Sequence, residues 1–266
     1  MTEGWIAALV ALGVACAFVV GTLIYVGVSY LAMRGHVPAR AAGATLREMA
    51  RETATALVVQ PLLPLYYFVG RRLGGRASGV PIVMVHGYFQ NRVDFIGIAR
   101  ALRRAGLGPI FGFNYPWMLR VHANAERLAR FAERLHRETG ATEVDLVCHS
   151  MGGLVAIEAM RSHGLVVRRC VTIATPHAGV LWRGPILGGS GIDLRAGSEL
   201  VTSHADYRAG AKLLSLASTH DNVVHPDART ALAGRGGEDV IVGAMGHLAI
   251  LFARSTADAV VAFLAD

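Results

Sequence analysis

The chain has 266 residues, 53% apolar and 17% charged, and its net charge of +7 comes from 25 Arg and one Lys set against 19 acidic residues. That length suits one medium domain plus an additional segment. The arginines are scattered, with neither a basic stripe nor a reading motif for nucleic acid, and three cysteines without a CxxC or Cys/His ladder argue against a disulfide framework or a zinc site.

The apolar surplus is concentrated near the start. Trp5 to Met33 reads WIAALVALGVACAFVVGTLIYVGVSYLAM without a charge. Two-thirds of that run, as a helix, crosses a hydrocarbon core about 30 Å thick. Trp5, Tyr25 and Tyr30 suit interfacial anchoring. A signal peptide would need a basic start and a shorter apolar core, whereas this chain opens MTEG. The expectation is a single-pass anchor over residues 5–33 in a bacterial inner membrane. Arg34, Arg40, Arg47 and Arg51 follow the segment and favour a cytoplasmic C-terminal domain.

Residues 34–79 read as a connector. An Arg-bearing amphipathic helix is expected to begin near Pro38. Residues 60–70, QPLLPLYYFVG, are uncharged and broken by Pro61 and Pro64, which argues against a second spanning helix. This stretch either lies at a membrane interface or packs on the following domain. GRRLGGRASG (70–79) reads as a flexible lead-in.

From residue 80 strands and helices alternate. Strands are expected at 81–85, 108–115, 143–148, 168–175, 212–218 and 239–245. Helices fill 91–106, 122–140, the stretch after Ser150, and 247–264. The pattern predicts an α/β domain with a mostly parallel sheet covered on both faces.

Ligands of such sheets bind at the carboxyl ends of the strands. Ser150, in CHSMGG, falls on a sharp strand-to-helix turn that would expose its Oγ. In VMVHGYF (83–89) the Tyr88 N–H, with that of Met151 at the helix start, would form a two-donor oxyanion hole. Asp221 lies just past a strand end, and His247 follows the last strand, giving the order Ser, Asp, His. Asp193 and Asp206 are rival acids, but neither follows an apolar strand. His220, Asp221, His225 and Asp227 match no familiar metal-ligand spacing, so no metal is expected. Read as a plain helix N-cap, Ser150 would need none of the other blocks.

The segment from about 80 to 266 resembles an α/β-hydrolase of the bacterial lipase and esterase kind, on HGY (86–88), HSMGG (149–153), TPHAG (175–179), HDNVV (220–224) and GHLAIL (246–251). The resemblance implies Ser150 as nucleophile, His247 as general base, Asp221 as its orienting acid, and Tyr88 and Met151 as backbone oxyanion donors. His86, Gly87, His149 and Gly152 would shape the site, and His177 would order a loop at its rim. One departure is Cys148 at the first Gly of GxSxG, expected to point into the sheet. The implied activity is ester hydrolysis without an organic cofactor, on lipid-like or other carboxylic esters. The alternatives are an acyltransferase or thioesterase with the same triad, and a silent binding protein on this scaffold. The Gly-rich stretch between His177 and Lys212 lacks sustained apolar periodicity, which predicts an open site without a large amphipathic lid.

Overall fold

The computed structural model describes residues 2–37, 40–182, 184–225 and 232–266. Pro38, where the connector helix was expected to begin, and Asp227 lie outside the described residues. Helix α1, Thr2–Met33, is continuous. Its Gly4–Met33 stretch has mean hydropathy 2.5 and is long and apolar enough, by length and composition, to cross a membrane. Its two halves differ. Trp5 to Val20 is exposed, whereas Thr22, Val26, Ser29, Tyr30 and Met33 are buried against the rest of the molecule.

Helix α2, Ala42–Val59, buries Glu48, Glu52, Ala56 and Val59, a stripe at helical spacing. A 3₁₀ segment, Gln60–Tyr67, carries Pro61 and Pro64 in place of a regular helix. Arg92 holds it to the domain, donating from Nη2 to the Tyr66 carbonyl at 2.9 Å and from Nε to the Val69 carbonyl at 2.8 Å.

Seven strands form one sheet in the order β1-β3-β2-β4-β5-β6-β7. The strands are β1 (Arg72–Gly74), β2 (Ile82–Val85), β3 (Ile110–Phe113), β4 (Val144–His149), β5 (Val167–Ile173), β6 (Lys212–Ser218) and β7 (Glu238–Gly243). All neighbours pair parallel except β1 with β3. The flexible lead-in expected at 70–79 therefore contains an antiparallel edge strand. An edge needs only one face and one set of partners, so RLG carries no apolar alternation to announce it.

Successive residues of β2 point to opposite faces. Val83 and Val85 join a core with Leu128 and Leu135 of α4 (Val121–Thr139) and Leu154 and Ile157 of α5 (Met151–His163). Ile82 and Met84 join a second core with Ile98 and Leu102 of α3 (Ile96–Arg104) and Val260 and Leu264 of the C-terminal helix. The cap region after β5 holds two short helices, α6 (Ser190–Asp193) and α7 (Glu199–His204), and the C-terminal helix is α8 (Arg254–Ala265).

Two expected helices are subdivided. The 91–106 helix opens with a 3₁₀ turn, Arg92–Phe95, capped by Asn91 and Asp94 in a reciprocal box. The 247–264 helix is a 3₁₀ turn, Ala249–Phe252, then α8, separated by extended Ala253.

Candidate active site

Four strand ends converge. β4 runs into Ser150, whose backbone takes φ 51° and ψ −125° before α5 begins. A non-glycine residue there costs about 1–3 kcal/mol, and its neighbours hold it in place. The Ser150 N–H donates to the Ile173 carbonyl at 2.9 Å, and Thr175 Oγ1 donates to the Ser150 carbonyl at 2.9 Å. The turn also needs Gly152, because a Cβ there would run into the carbonyl oxygens of Val85 and His86. The Ser150 side chain makes no capping bond to α5. Its Oγ instead lies 2.9 Å from His247 Nε2.

His247 Nδ1 lies 3.1 Å from Asp221 Oδ2. Asp221 is fully buried, and its Oδ1 accepts the N–H groups of Val223 and Val224, each at 2.8 Å. Burial alone would raise its carboxyl pKa, but His247 and these bonds outweigh it and hold the pKa below its ordinary value. Burial opposes charge on His247 as well; the Asp221 carboxylate and its hydrogen bond, joined by Glu52, raise the imidazole above its ordinary value. The rival acids are elsewhere. Asp193 pairs with Arg120 at 2.8 Å and accepts the Val121 N–H at 2.7 Å, and Asp206 is exposed.

The HGY turn after β2 packs against Ser150. The Gly87 N–H donates to Gln90 Oε1 at 2.9 Å. His86 Nε2 accepts the Tyr115 N–H at 3.2 Å, its Nδ1 meets the Gly87 carbonyl at 2.9 Å, and burial lowers its pKa to about 4. It is a neutral brace beneath the turn. Tyr88 lines one cavity with Ser150 and His247. Met151 is the first residue of α5, so its N–H has no partner one turn earlier within the helix.

His149 is buried between Gln90 Oε1, 2.7 Å from Nδ1, and the His247 carbonyl, 3.0 Å from Nε2. Burial first, then the neighbouring His247, lowers its pKa to about 3, so the neutral ring donates to one of these oxygens only. Cys148 is fully buried within the sheet, as expected. His177 differs from expectation. It is buried, with Nε2 2.9 Å from Thr172 Oγ1, so it orders the loop from beneath instead of at the site rim.

Three residues that contact this centre escaped the sequence reading. Glu52 of α2 is 2% exposed; its Oε1 accepts the Leu248 N–H at 2.8 Å and its Oε2 the Ala249 N–H at 2.9 Å, directly after His247. Gly246 makes room for it, since a Cβ there would strike the Glu52 carboxylate. Asn222 Oδ1 accepts the His247 N–H at 2.9 Å, and its Nδ2 donates to Ser29 Oγ of α1 at 2.7 Å. Ser218 Oγ accepts the N–H groups of Met245, at 2.7 Å, and His220, at 3.1 Å, joining the two loops that carry His247 and Asp221. A signal for Glu52 does exist, in the spacing of Glu48, Glu52, Ala56 and Val59 along one face of α2.

The site is not open. A cavity of about 900 Å³ reaches Ser150 and His247, and α1 forms one wall of it. A second, of about 440 Å³, meets His247 and His149 on the other side of Gly21 and Tyr25. The roof comes from the N-terminal helix together with Val180, Leu181 and Leu187 of the 177–212 stretch.

Residues 82–208 match the alpha/beta hydrolase family. A triacylglycerol lipase of Burkholderia plantarii is 29% identical over 153 residues, which is 50% of this chain and 41% of that protein. A triacylglycerol lipase of Pseudarthrobacter phenanthrenivorans is 31% identical over 113 residues, 39% of this chain and 35% of that protein. The chain thus spans less than half the length of either lipase. Aspergillus fumigatus lipase B superposes with TM-score 0.60 at 16% identity, covering 73% of this chain and 55% of that one. The mature form of Bacillus licheniformis lipase BlEst2 superposes with TM-score 0.56 at 19% identity, covering 66% and 88%. These structures share the fold. The chain has the α/β-hydrolase fold, matches that family over residues 82–208, and is similar to lipases and esterases.

Proposed function

We propose that this protein is a membrane-anchored serine hydrolase that cleaves carboxylic esters through an acyl-enzyme on Ser150. The observation that carries the reading is the relay from Ser150 Oγ to His247 Nε2 at 2.9 Å and from His247 Nδ1 to Asp221 Oδ2 at 3.1 Å. In this mechanism His247 takes the Ser150 proton as Oγ attacks the ester carbonyl. Asp221 holds the imidazole with Nε2 toward the serine and stabilises the imidazolium. The Tyr88 and Met151 N–H groups meet the developing oxyanion. The intermediate collapses, the leaving alcohol takes the proton from His247, and water repeats the sequence to release the acid.

Residues 1–33 are the anchor, 34–79 the connector and 80–266 the catalytic domain. The arginines at 34, 40, 47 and 51 favour a single-pass protein with the domain on the cytoplasmic face of an inner membrane. Fatty-acyl esters are the proposed substrate class, supported by the triacylglycerol lipases among the relatives. The test is turnover of p-nitrophenyl esters of graded chain length by the detergent-solubilised full chain, with fluorophosphonate labelling in parallel. Turnover and labelling are expected in the wild type and absent in Ser150→Ala; equal, inert behaviour of both proteins would remove the reading.

A further inference from the structure

α1 is more than a tether. Its C-terminal half lies across the mouth of the site, with Val26 and Met33 buried against the domain and Ser29 bonded to Asn222. Gly21 and Tyr25 line the cavities on both sides of it. In the larger cavity Ile24, Tyr25 and Val28 of α1 face Leu181, Trp182 and Leu187 of the segment after β5, with Ser150 and His247 at the inner end. That segment is fastened to the oxyanion turn, where the Tyr88 hydroxyl both accepts the Leu187 N–H and donates to its carbonyl, each at 3.1 Å. The outer edge stays apolar and exposed at Ile24, Val28 and Leu187. The exposed half of α1 continues from this edge as an uninterrupted apolar helix. About 18 residues of it, at about 1.5 Å each, extend roughly 27 Å, close to a bilayer's hydrocarbon thickness.

We infer that the space between α1 and Leu181, Trp182 and Leu187 is the acyl-chain site, so that a membrane lipid enters sideways along its own anchor helix with its ester at Ser150. This rests on the hydrolase reading and goes beyond it, by assigning the anchor a binding role and the substrate a bilayer source. The volume of about 900 Å³ falls within the range of organic-ligand pockets. The apolar side chains of Ile24, Val28, Leu181, Ile186 and Leu187 in its lining recognise a hydrocarbon chain through burial. Ser150 lines this cavity and not the smaller one, which fixes the side on which the chain lies.

Two measurements on the full chain in phosphatidylcholine vesicles test the assignment. The first compares kcat/KM for p-nitrophenyl palmitate and p-nitrophenyl acetate in Ile24→Trp and in Leu9→Trp, which places the same bulk on the exposed half of α1. The palmitate-to-acetate ratio is expected to fall about 10-fold or more in Ile24→Trp and to hold within about 2-fold in Leu9→Trp. An unchanged ratio in Ile24→Trp, or equal falls in both variants, overturns the assignment. The second needs no turnover. A phosphatidylcholine with a diazirine near the end of one acyl chain is photolysed with wild type and with Ser150→Ala, and the adducts are mapped by mass spectrometry. Adducts at residues 24–28 and at Leu181, Trp182 or Leu187 support the site even if every ester proves inert, in which case the hydrolase reading alone fails. Adducts confined to residues 5–20 of α1 overturn the site while leaving the hydrolase reading standing.

Discussion

Ser150 occupies a backbone conformation that most side chains avoid, and its hydroxyl is committed to His247 instead of capping α5. A residue kept there at an energetic cost points to chemistry. Ser150→Ala is expected to lower kcat on the order of 10⁵-fold to 10⁶-fold without unfolding the protein, checked by ester turnover and circular dichroism. In the proposed mechanism His247 acts as a base only when neutral, and Asp221 and Glu52 raise its pKa. The rate should therefore climb with pH through a midpoint above the ordinary histidine value. Glu52→Gln keeps a carbonyl for one backbone N–H and cannot carry a charge, so the acid limb of kcat/KM should move to lower pH. A limb that stays in place would show that the Glu52 carboxyl is uncharged where His247 titrates. Ser150, Asp221 and His247 were legible because each announces itself locally, as a polar residue just past an apolar run. Glu52 and Ser29 were not. Their partners lie 196 and 193 positions away, and nothing in the residues around a lone Glu or Ser reports which distant N–H will meet it.

At the level of elements, α5 carries the site at one end and a charge cluster farther along. Glu158 accepts from Arg161 at 3.0 Å and meets His122 at 2.7 Å and His204 at 2.8 Å, joining α5 to α4 and α7. Burial would raise its carboxyl, but hydrogen bonds from His204, His122 and Arg161 prevail and hold it well below the carboxylate range. A depressed folded-state pKa means that this stability is present above the unfolded carboxyl's pKa and is lost as pH falls through the folded one. Glu158→Ala is expected to cost about 3 kcal/mol and lower Tm by roughly 6–12 °C, with a shallower loss of stability on acidification, read by thermal melts across pH. The α/β alternation from residue 80 onward was visible because buried strands and amphipathic helices have different apolar periods. β1 was hidden because a three-residue edge strand containing an Arg and a Gly has no period to detect. The roof over the site was hidden for another reason. The apolar pattern of α1 fits a bilayer on all its faces, and Thr22 and Ser29 are too weakly polar to mark the face that docks on protein.

For the molecule as a whole, the residues before the domain pack on it through Ser29 of α1, Glu52 of α2 and the edge strand β1. A chain beginning at Arg76 would retain Ser150, Asp221 and His247 while losing Glu52, Ser29 and one wall of the cavity. Its kcat/KM toward long-chain esters is expected to fall at least about 10-fold relative to the full chain, measured side by side in detergent. The proposed membrane attachment through α1 is apolar, so about 1 M salt is expected to leave the protein in the vesicle fraction while detergent releases it; salt release would indicate adsorption through the arginines. The bond from Asn222 to Ser29 and the bond from the His247 N–H to Asn222 form a short linkage between α1, the proposed anchor, and the imidazole. A spanning helix answers bilayer thickness by tilting. Because this one is pinned at its inner end, a change of tilt bears directly on the loop that sets the imidazole against the serine. Under the proposed function, hydrolysis rate is therefore expected to vary with membrane thickness, measured in vesicles that differ only in the length of their lipid tails.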